Sequence, residues 1–385
     1  MRTGYSTGAG PVRMAMIGGG QGSFIGPVHR RAAALDGLVR LCAGAFSPDP
    51  ARNRDTGLQL GVAPDRVYAN YEALLALEAA RPADERPEFI AIVTPNHLHV
   101  PVATAALAQG FAVLCEKPLA RDLAEARELG RAVEASGAAF AMTYTYLGYP
   151  LVHEARAIVA SGGIGAVRRI VVNYTQGWLA QPVERDGNRQ AVWRTSPDTA
   201  GAGGALGDIG VHAQSLAEFV GGSDIVEVSA DIRAALPDRP LDDDGAMLLR
   251  FANGARGTLT ASQVCAGDEN RLELRIYGQS GSIEWAQESP NRLWHRPLDA
   301  AARLITANPD LLRDGGARAM ARLPGGHPEG YIEAFANLYR AFALSLRGDE
   351  APFIPGLREG VHSMAFIEAA IASSRANGAW QRIAD

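Results

Sequence analysis

The stretch VRMAMIGGGQGSFIG, residues 12–26, constrains the fold more than any other part of the chain. Met14, Ala15, Met16 and Ile17 form a short apolar run suited to burial on both faces, as in a central parallel strand. Gly18, Gly19, Gly20 and Gly22 follow as a turn where backbone can approach a ligand, and a helix is predicted from about Pro27. A strand, a glycine turn and a helix N-terminus in that order make a site for a dinucleotide pyrophosphate, because free helix N–H groups face the phosphates. Gly18, Gly20, Gln21, Gly22, Ser23, Phe24 and Ile25 are therefore candidate cofactor contacts. The pattern departs from the usual fingerprint at its third position, where Ser23 stands in place of Gly or Ala. A glycine turn by itself is equally an ordinary tight turn, so the weight falls on the rest of the chain.

Downstream, strands predicted at 39–46, 89–93, 111–115 and 138–143 alternate with helices at 51–60, within 68–77 after an extended piece, through Ala108 and at 123–134. Such alternation implies right-handed crossovers and a parallel sheet. The texture changes near Pro150. A helix at 153–160 and a strand at 168–178 lead into a long polar loop, 181–207, that contains Trp193. A loop of that length in a compact protein is functional or disordered, and the flanking tryptophans favour function. After a helix at 208–220, strands are predicted at 226–235, 246–251, 257–263, 271–277 and 281–285. Ala252-Asn253-Gly254 and Gln279-Ser280-Gly281 read as hairpin turns, which is antiparallel grammar. Helices at 331–346 and 357–376 close the chain. The expectation is an α/β protein: a doubly wound parallel sheet within 1–147, with 1–11 a loose tail, and an α+β domain within 148–385.

At 385 residues two domains are expected, and 47% hydrophobic with 21% charged residues suits a soluble globular chain. A net charge of −5 without a basic cluster argues against nucleic acid as a partner. Cys42, Cys115 and Cys265 are widely separated and odd in number, which fits a reducing cytoplasm. No apolar stretch is long enough to span a membrane, and the N-terminus lacks a signal-peptide core.

Glu116-Lys117-Pro118 directly follows a predicted strand, so Lys117 falls at the carboxyl edge of the sheet, where ligands of parallel sheets bind. Asp208 and His212, four apart after a glycine-rich loop, share one helix face. Asp208 also reads as an N-cap, and His212 alone reads as a packed histidine. Histidine is nevertheless the usual carrier of a proton near neutral pH. In Thr94-Pro95-Asn96-His97-Leu98-His99 a metal reading lacks a third ligand, so no metal is assigned and the loop is read as packing on a cofactor ribose. Trp178, Trp193 and Arg194 form either core and rim or a stacking wall, and His327 precedes a predicted helix whose start Pro328 and Glu329 explain.

Taken together, the glycine turn, Thr94-Pro95-Asn96-His97-Leu98-His99, Glu116-Lys117-Pro118 and Gly204-Ala205-Leu206-Gly207-Asp208-Ile209-Gly210-Val211-His212 resemble the Gfo/Idh/MocA oxidoreductases. The resemblance spans nearly the whole chain in the right order. It implies an N-terminal Rossmann domain and a C-terminal domain with a large open sheet that mediates homodimers or homotetramers. It also implies an NAD or NADP cofactor and a secondary alcohol of a sugar, inositol or glycoside as substrate. By this likeness Lys117, Asp208 and His212 are catalytic, and the bond to Pro118 is often cis. Thr94, Pro95, Asn96, His99, Glu116 and Lys117 then join the cofactor contacts, with Tyr146, Trp178, Trp193, Arg194 and His327 as substrate contacts. Where NAD enzymes usually carry an acidic residue after the second strand, this chain has Ser47, with Arg52 nearby, which leaves NAD and NADP both open. Two further readings stand beside this one: an enzyme that keeps NAD bound and oxidises sugars transiently, and a non-catalytic NAD(P) sensor.

Overall fold

The structure is a computed structural model describing residues 10–384, so most of the expected N-terminal tail lies outside the described residues. The apolar strands β1 (Val12–Gly18), β2 (Val39–Ala45), β3 (Phe89–Val93), β4 (Ala112–Cys115) and β5 (Phe140–Met142) form a parallel sheet in the order β2-β1-β3-β4-β5. β3 is buried along its whole length, as a strand with helices on both faces must be. Helices begin where side chains can cap them: Asp49, Asn70 and Asp122 each accept a backbone N–H three residues on. The helix Tyr331–Leu346 returns to this first sheet from far along the chain. Its Phe335, Tyr339 and Phe342 pack on Met14, Met16 and Phe89, with Phe89 and Phe342 meeting edge to face at 5.3 Å.

The second sheet is built from β6 (Val167–Thr175), β7 (Ile225–Arg233), β8 (Asp244–Phe251), β9 (Arg256–Ser262), β10 (Arg271–Gly278), β11 (Gly281–Ala286), β12 (Arg292–Pro297), β13 (Arg303–Thr306) and β14 (Gln381–Arg382). Its order is β13-β12-β11-β10-β6-β9-β8-β7-β14, antiparallel throughout except for the β6–β9 pair. Burial alternates along β8 and β10, because one face packs on helices Pro150–Ala160, Val211–Gly221 and Leu357–Arg375. On the other face, Leu248, Thr258, Val171, Arg275, Glu284, Trp294 and Leu304 stand in one cross-strand row, with Leu248, Trp294 and Leu304 exposed.

The structure corrects several expectations. The loop 181–207 contains two short helices, Arg189–Arg194 and Pro197–Ala200, the first capped by Asn188. β12, β13 and the helix Gly315–Met320 add to the predicted elements. β12 mixes arginines and a proline into its pattern, and the helix opens on two glycines with Asp314 capping Ala317 N–H. The last long helix but one starts at Tyr331 with Gly330 as its N-cap, so Glu329 is not in its first turn. Glu329 is instead buried, accepting from the N–H groups of Arg322 (2.6 Å) and Leu323 (2.9 Å).

Candidate active site

The order of the parallel sheet reverses between β1 and β3, which opens a crevice at their carboxyl ends. Gly18, at φ +83°, lies so close to β3 that a Cβ would stand 2.4 Å from the Val93 carbonyl oxygen. A Cβ on Gly20 would stand 2.6 Å from the Phe46 carbonyl oxygen, so the turn is wedged between the ends of β2 and β3. The closest approach of helix and turn is at Gly26, where a Cβ would meet the Gly19 oxygen at 2.1 Å. Gly26 therefore fills the packing role that the fingerprint assigns to its third glycine, and the turn is simply longer than expected. Ser23, which matches that place by spacing alone, accepts the Gly26 N–H through its hydroxyl at 3.1 Å. Phe24, the N-cap of the helix Ile25–Leu35, makes no side-chain bond, so Ser23 supplies the cap, and the first turn has no acidic residue. A small-residue turn beneath a helix start without an acidic residue, with Gln21 N–H tied to Thr56 at 3.2 Å, fits a dinucleotide's phosphates.

At the end of β4, Glu116 is buried and bonded to His29 Nε2 at 2.9 Å, and the Thr143 hydroxyl also donates to it. Burial, the largest single influence, would raise the carboxyl, but the His29 contact, the Lys117 charge and the Thr143 hydroxyl together hold Glu116 down at about 2. The next peptide, Lys117–Pro118, is cis. Lys117 Nζ donates to the Asp208 carbonyl at 2.7 Å and to its Oδ1 at 3.1 Å. Asp208 lies in a π-helical turn, Leu206–Gly210, that runs into the helix Val211–Gly221. It is not an N-cap. Its Oδ2 accepts from Arg194 Nε at 3.2 Å and from Gln263 Nε2 at 2.9 Å. Although burial opposes the charge, Lys117 and Arg194 keep Asp208 well below the usual carboxylate range.

His212, one turn on, is buried, its Nδ1 has no hydrogen-bond partner among the described residues, and its ring meets Tyr146 edge to face at 4.9 Å. Burial, then the neighbouring Lys117 charge, lower it to about 3, so it is neutral across the physiological range. These groups face one cavity of about 570 Å³. Phe24, Ile25, Thr94, Asn96 and Glu116 border it on the glycine-turn side; Trp178, Trp193 and Arg194 form a wall opposite. The Arg194 guanidinium stacks 4.2 Å from the Trp193 ring centroid. Its floor is a chain of bonds that sequence reasoning missed: Gln263 to Gln176 (3.2 Å), Gln176 to Asn270 (2.7 Å), Tyr174 to Asn270 (2.7 Å) and Asn270 to Tyr146 (3.2 Å).

Against known proteins, residues 12–144 match the oxidoreductase family with an NAD-binding Rossmann fold, and residues 152–284 match the GFO/IDH/MocA C-terminal domain. An uncharacterised oxidoreductase of Bacillus subtilis is 33% identical over 381 residues, 96% of each chain. The chain is a Gfo/Idh/MocA oxidoreductase. A levoglucosan dehydrogenase of Pseudarthrobacter phenanthrenivorans is 28% identical over 411 residues, covering 96% of this chain and 97% of that one. An inositol dehydrogenase homologue of Azotobacter vinelandii, complexed with NADH and myo-inositol, is similar at TM-score 0.89 and 34% identity, covering 97% and 98% of the two chains. Membership makes this chain an NAD(P)-dependent oxidoreductase with a nucleotide-binding N-terminal fold.

Not every expected residue of this Gfo/Idh/MocA protein reaches the cavity. His99 is fully buried, its ring nitrogens 2.7 Å from the Pro118 oxygen and 3.0 Å from the Thr94 oxygen, so it braces two loops and lies outside the cavity lining. His327 is exposed, its Nδ1 3.1 Å from the Pro324 oxygen, away from the cavity lining. Asn96 borders the cavity and also donates to the Ala200 oxygen at 2.8 Å, tying the 181–207 segment to β3. Ser47 and Arg52 lie past the end of β2, outside the lining, where the Ser47 hydroxyl and Asp49 carboxylate accept backbone N–H groups at 3.2 and 2.8 Å. Pro95 precedes the short turn Asn96–Leu98 and is not in the lining either. Among the described residues no helix is long and apolar enough to cross a membrane.

Proposed function

We propose that this oxidoreductase interconverts a secondary alcohol and a ketone on a cyclic polyol, sugar or glycoside. The observation that carries the reading is the neutral His212 imidazole, its Nδ1 without a hydrogen-bond partner among the described residues, beside the Lys117–Asp208 ion pair and on the same cavity as the helix start at Phe24 and Ile25. When bound, the nicotinamide cofactor supplies the two-electron acceptor or donor. His212 takes the hydroxyl proton. A weak base suffices, because proton and hydride leave together: as the carbon gives up hydride the hydroxyl becomes far more acidic than a free alcohol, while its oxygen keeps partial negative charge. Lys117 donates to the same oxygen and stabilises the charge that develops there. Asp208 holds the ammonium in place and, being paired with Arg194 as well, leaves one net positive charge at the reacting oxygen.

The uncharged amide and phenol floor and the Trp178–Trp193 wall suit a neutral polyhydroxylated ring, and the likeness to a homologue complexed with myo-inositol supports that class. The exposed row Leu248, Trp294 and Leu304 supports a homo-oligomer formed through the outer sheet face. The decisive experiment offers inositols, aldoses and glycosides with NAD and with NADP, read at the nicotinamide absorbance. Turnover of at least one cyclic polyol or glycoside is expected. A protein that binds cofactor yet oxidises and reduces none of them would overturn the proposal.

A further inference from the structure

The segment between β6 and the π-helical turn is pinned at both ends. Near its start, Glu184 is paired with the buried Arg239 at 2.9 Å. Near its end, the Ala200 oxygen accepts from Asn96 at 2.8 Å and Ala202 N–H donates to the Arg121 oxygen at 3.0 Å. Between these anchors the helix Arg189–Arg194 spans the crevice, and its two terminal arginines do different work. Arg194 is bound to Asp208 at 3.2 Å. Arg189 is exposed and, among the described residues, its guanidinium has no carboxylate or hydrogen-bond partner. Yet it is not directed into open solvent. A Cβ built on Gly22, at φ +85°, would have one neighbour within 4 Å, Arg189 Nη1 at 3.4 Å. The free guanidinium therefore lies across the glycine turn.

The other cation beside this turn is already engaged on its inner side: Arg30 donates to the Gly19 oxygen at 2.5 Å. No acidic residue occupies the first turn of the helix Ile25–Leu35, so that turn sets no negative charge of its own between Arg189 and the helix's first N–H groups. A planar guanidinium with two free edges is the side chain best suited to phosphate oxygens. We propose that Arg189 closes over the bound cofactor as a clamp on its pyrophosphate. The segment that reaches the chemistry through Arg194 then also reports, through Arg189, whether cofactor is present. Gly22 is small for a reason that the fingerprint alone does not supply: a side chain there would hold the guanidinium off the phosphates.

This inference rests on the glycine turn holding the dinucleotide, and its test separates the two. Dissociation constants are measured for NADH by tryptophan-to-nicotinamide energy transfer, for ADP-ribose by calorimetry and for adenosine by saturation-transfer NMR. ADP-ribose carries the pyrophosphate and no nicotinamide, so that arm is independent of hydride transfer. Arg189→Ala should weaken NADH and ADP-ribose by about tenfold, the scale of one charge-assisted phosphate contact, and flatten their salt dependence. Adenosine should be unaffected, and Arg189→Lys should recover part of the loss. Because Arg189 is exposed and unpaired, the variant's melting temperature should match the parent's, and the adenosine value checks the fold of the site. ADP-ribose affinity within twofold of the parent, or an equal loss for adenosine, would overturn the clamp. A parent protein that bound ADP-ribose no better than adenosine would instead overturn the phosphate placement beneath it.

Discussion

Lys117→Ala tests the proposed chemistry most sharply, because the structure predicts two separate consequences. The substitution deletes the ammonium that donates 2.7 Å and 3.1 Å bonds to Asp208. Asp208 keeps Arg194 at 3.2 Å and Gln263 at 2.9 Å, so the carboxylate stays ionised and the wall stays in place. The first consequence is kinetic. Losing one preorganised donor to a developing oxyanion costs about 3–4 kcal/mol, or roughly 100- to 1,000-fold in kcat. Cofactor affinity should barely change, since the glycine turn is untouched. The second concerns His212, which burial and then the Lys117 charge hold at about 3. In the parent, the acidic limb of kcat/KM should therefore lie far below the ordinary histidine range. With Lys117 gone the limb should move upward, because imidazolium no longer faces a like charge. Steady-state kinetics from acid to neutral pH and fluorescence titration of NADH measure both effects. A variant within tenfold of the parent rate, or a limb that stays in place or moves down, would refute the role given to Lys117.

The other predictions probe the base, the cradle and the buried histidines. His212→Asn should lower kcat by about 100-fold or more while leaving NADH binding intact, as loss of a positioned general base does; a near-normal rate would remove His212 from the mechanism. Gly26→Ala places a methyl 2.1 Å from the Gly19 oxygen, a backbone atom that cannot swing aside. It should cost about 1–3 kcal/mol in denaturant unfolding and weaken NADH binding with it; unchanged values for both would contradict the packing described. His153 is buried, with Nε2 at 2.7 Å from the Leu147 oxygen, and burial lowers it to about 4. Between pH 6.5 and 4 the unfolded chain binds a proton there that the folded chain does not, so stability falls as pH falls, by an amount of order 3 kcal/mol. His153→Gln should make melting temperature less sensitive to pH over that interval, and an identical slope would rule out this source.

What could be read from sequence was what depends on neighbours along the chain. β1, the glycine turn, β3 and Lys117 at the end of β4 were legible because burial period and punctuation are local signals. Lys117, Asp208 and His212 were placed together by family likeness, and the structure does bring their side chains to one cavity. Gln176, Gln263 and Asn270 could not be found that way. Each lies just beyond a strand, and they meet only because β6 lies between β9 and β10, a neighbourhood that no period announces. The single hint was Gln263, a polar residue closing an alternating strand that proves almost wholly buried. His99 and His327 failed for the opposite reason: a histidine near a motif looks like chemistry until its ring is seen bonded to main-chain oxygens.

The floor of the cavity has a direction. Ionised Asp208 can only accept and the Trp178 indole can only donate, at 3.0 Å to the Gln176 oxygen, so neither end of the run can be reversed. Gln263 must give both protons of its amide, to Asp208 and to Gln176. Gln176 must turn its own NH₂ toward Asn270, and Asn270 must give to Tyr146 while taking from Tyr174. Tyr146 is left to point its proton at Tyr174. Two groups that cannot change roles, the Asp208 carboxylate and the Trp178 indole, thus dictate which way amides and phenols several residues distant face, and hence which points along the cavity offer donors and which offer acceptors. Neutralising the carboxylate would loosen only the Gln263 contact with Asp208, because the indole N–H still holds the Gln176 oxygen toward it and with it the order of the run.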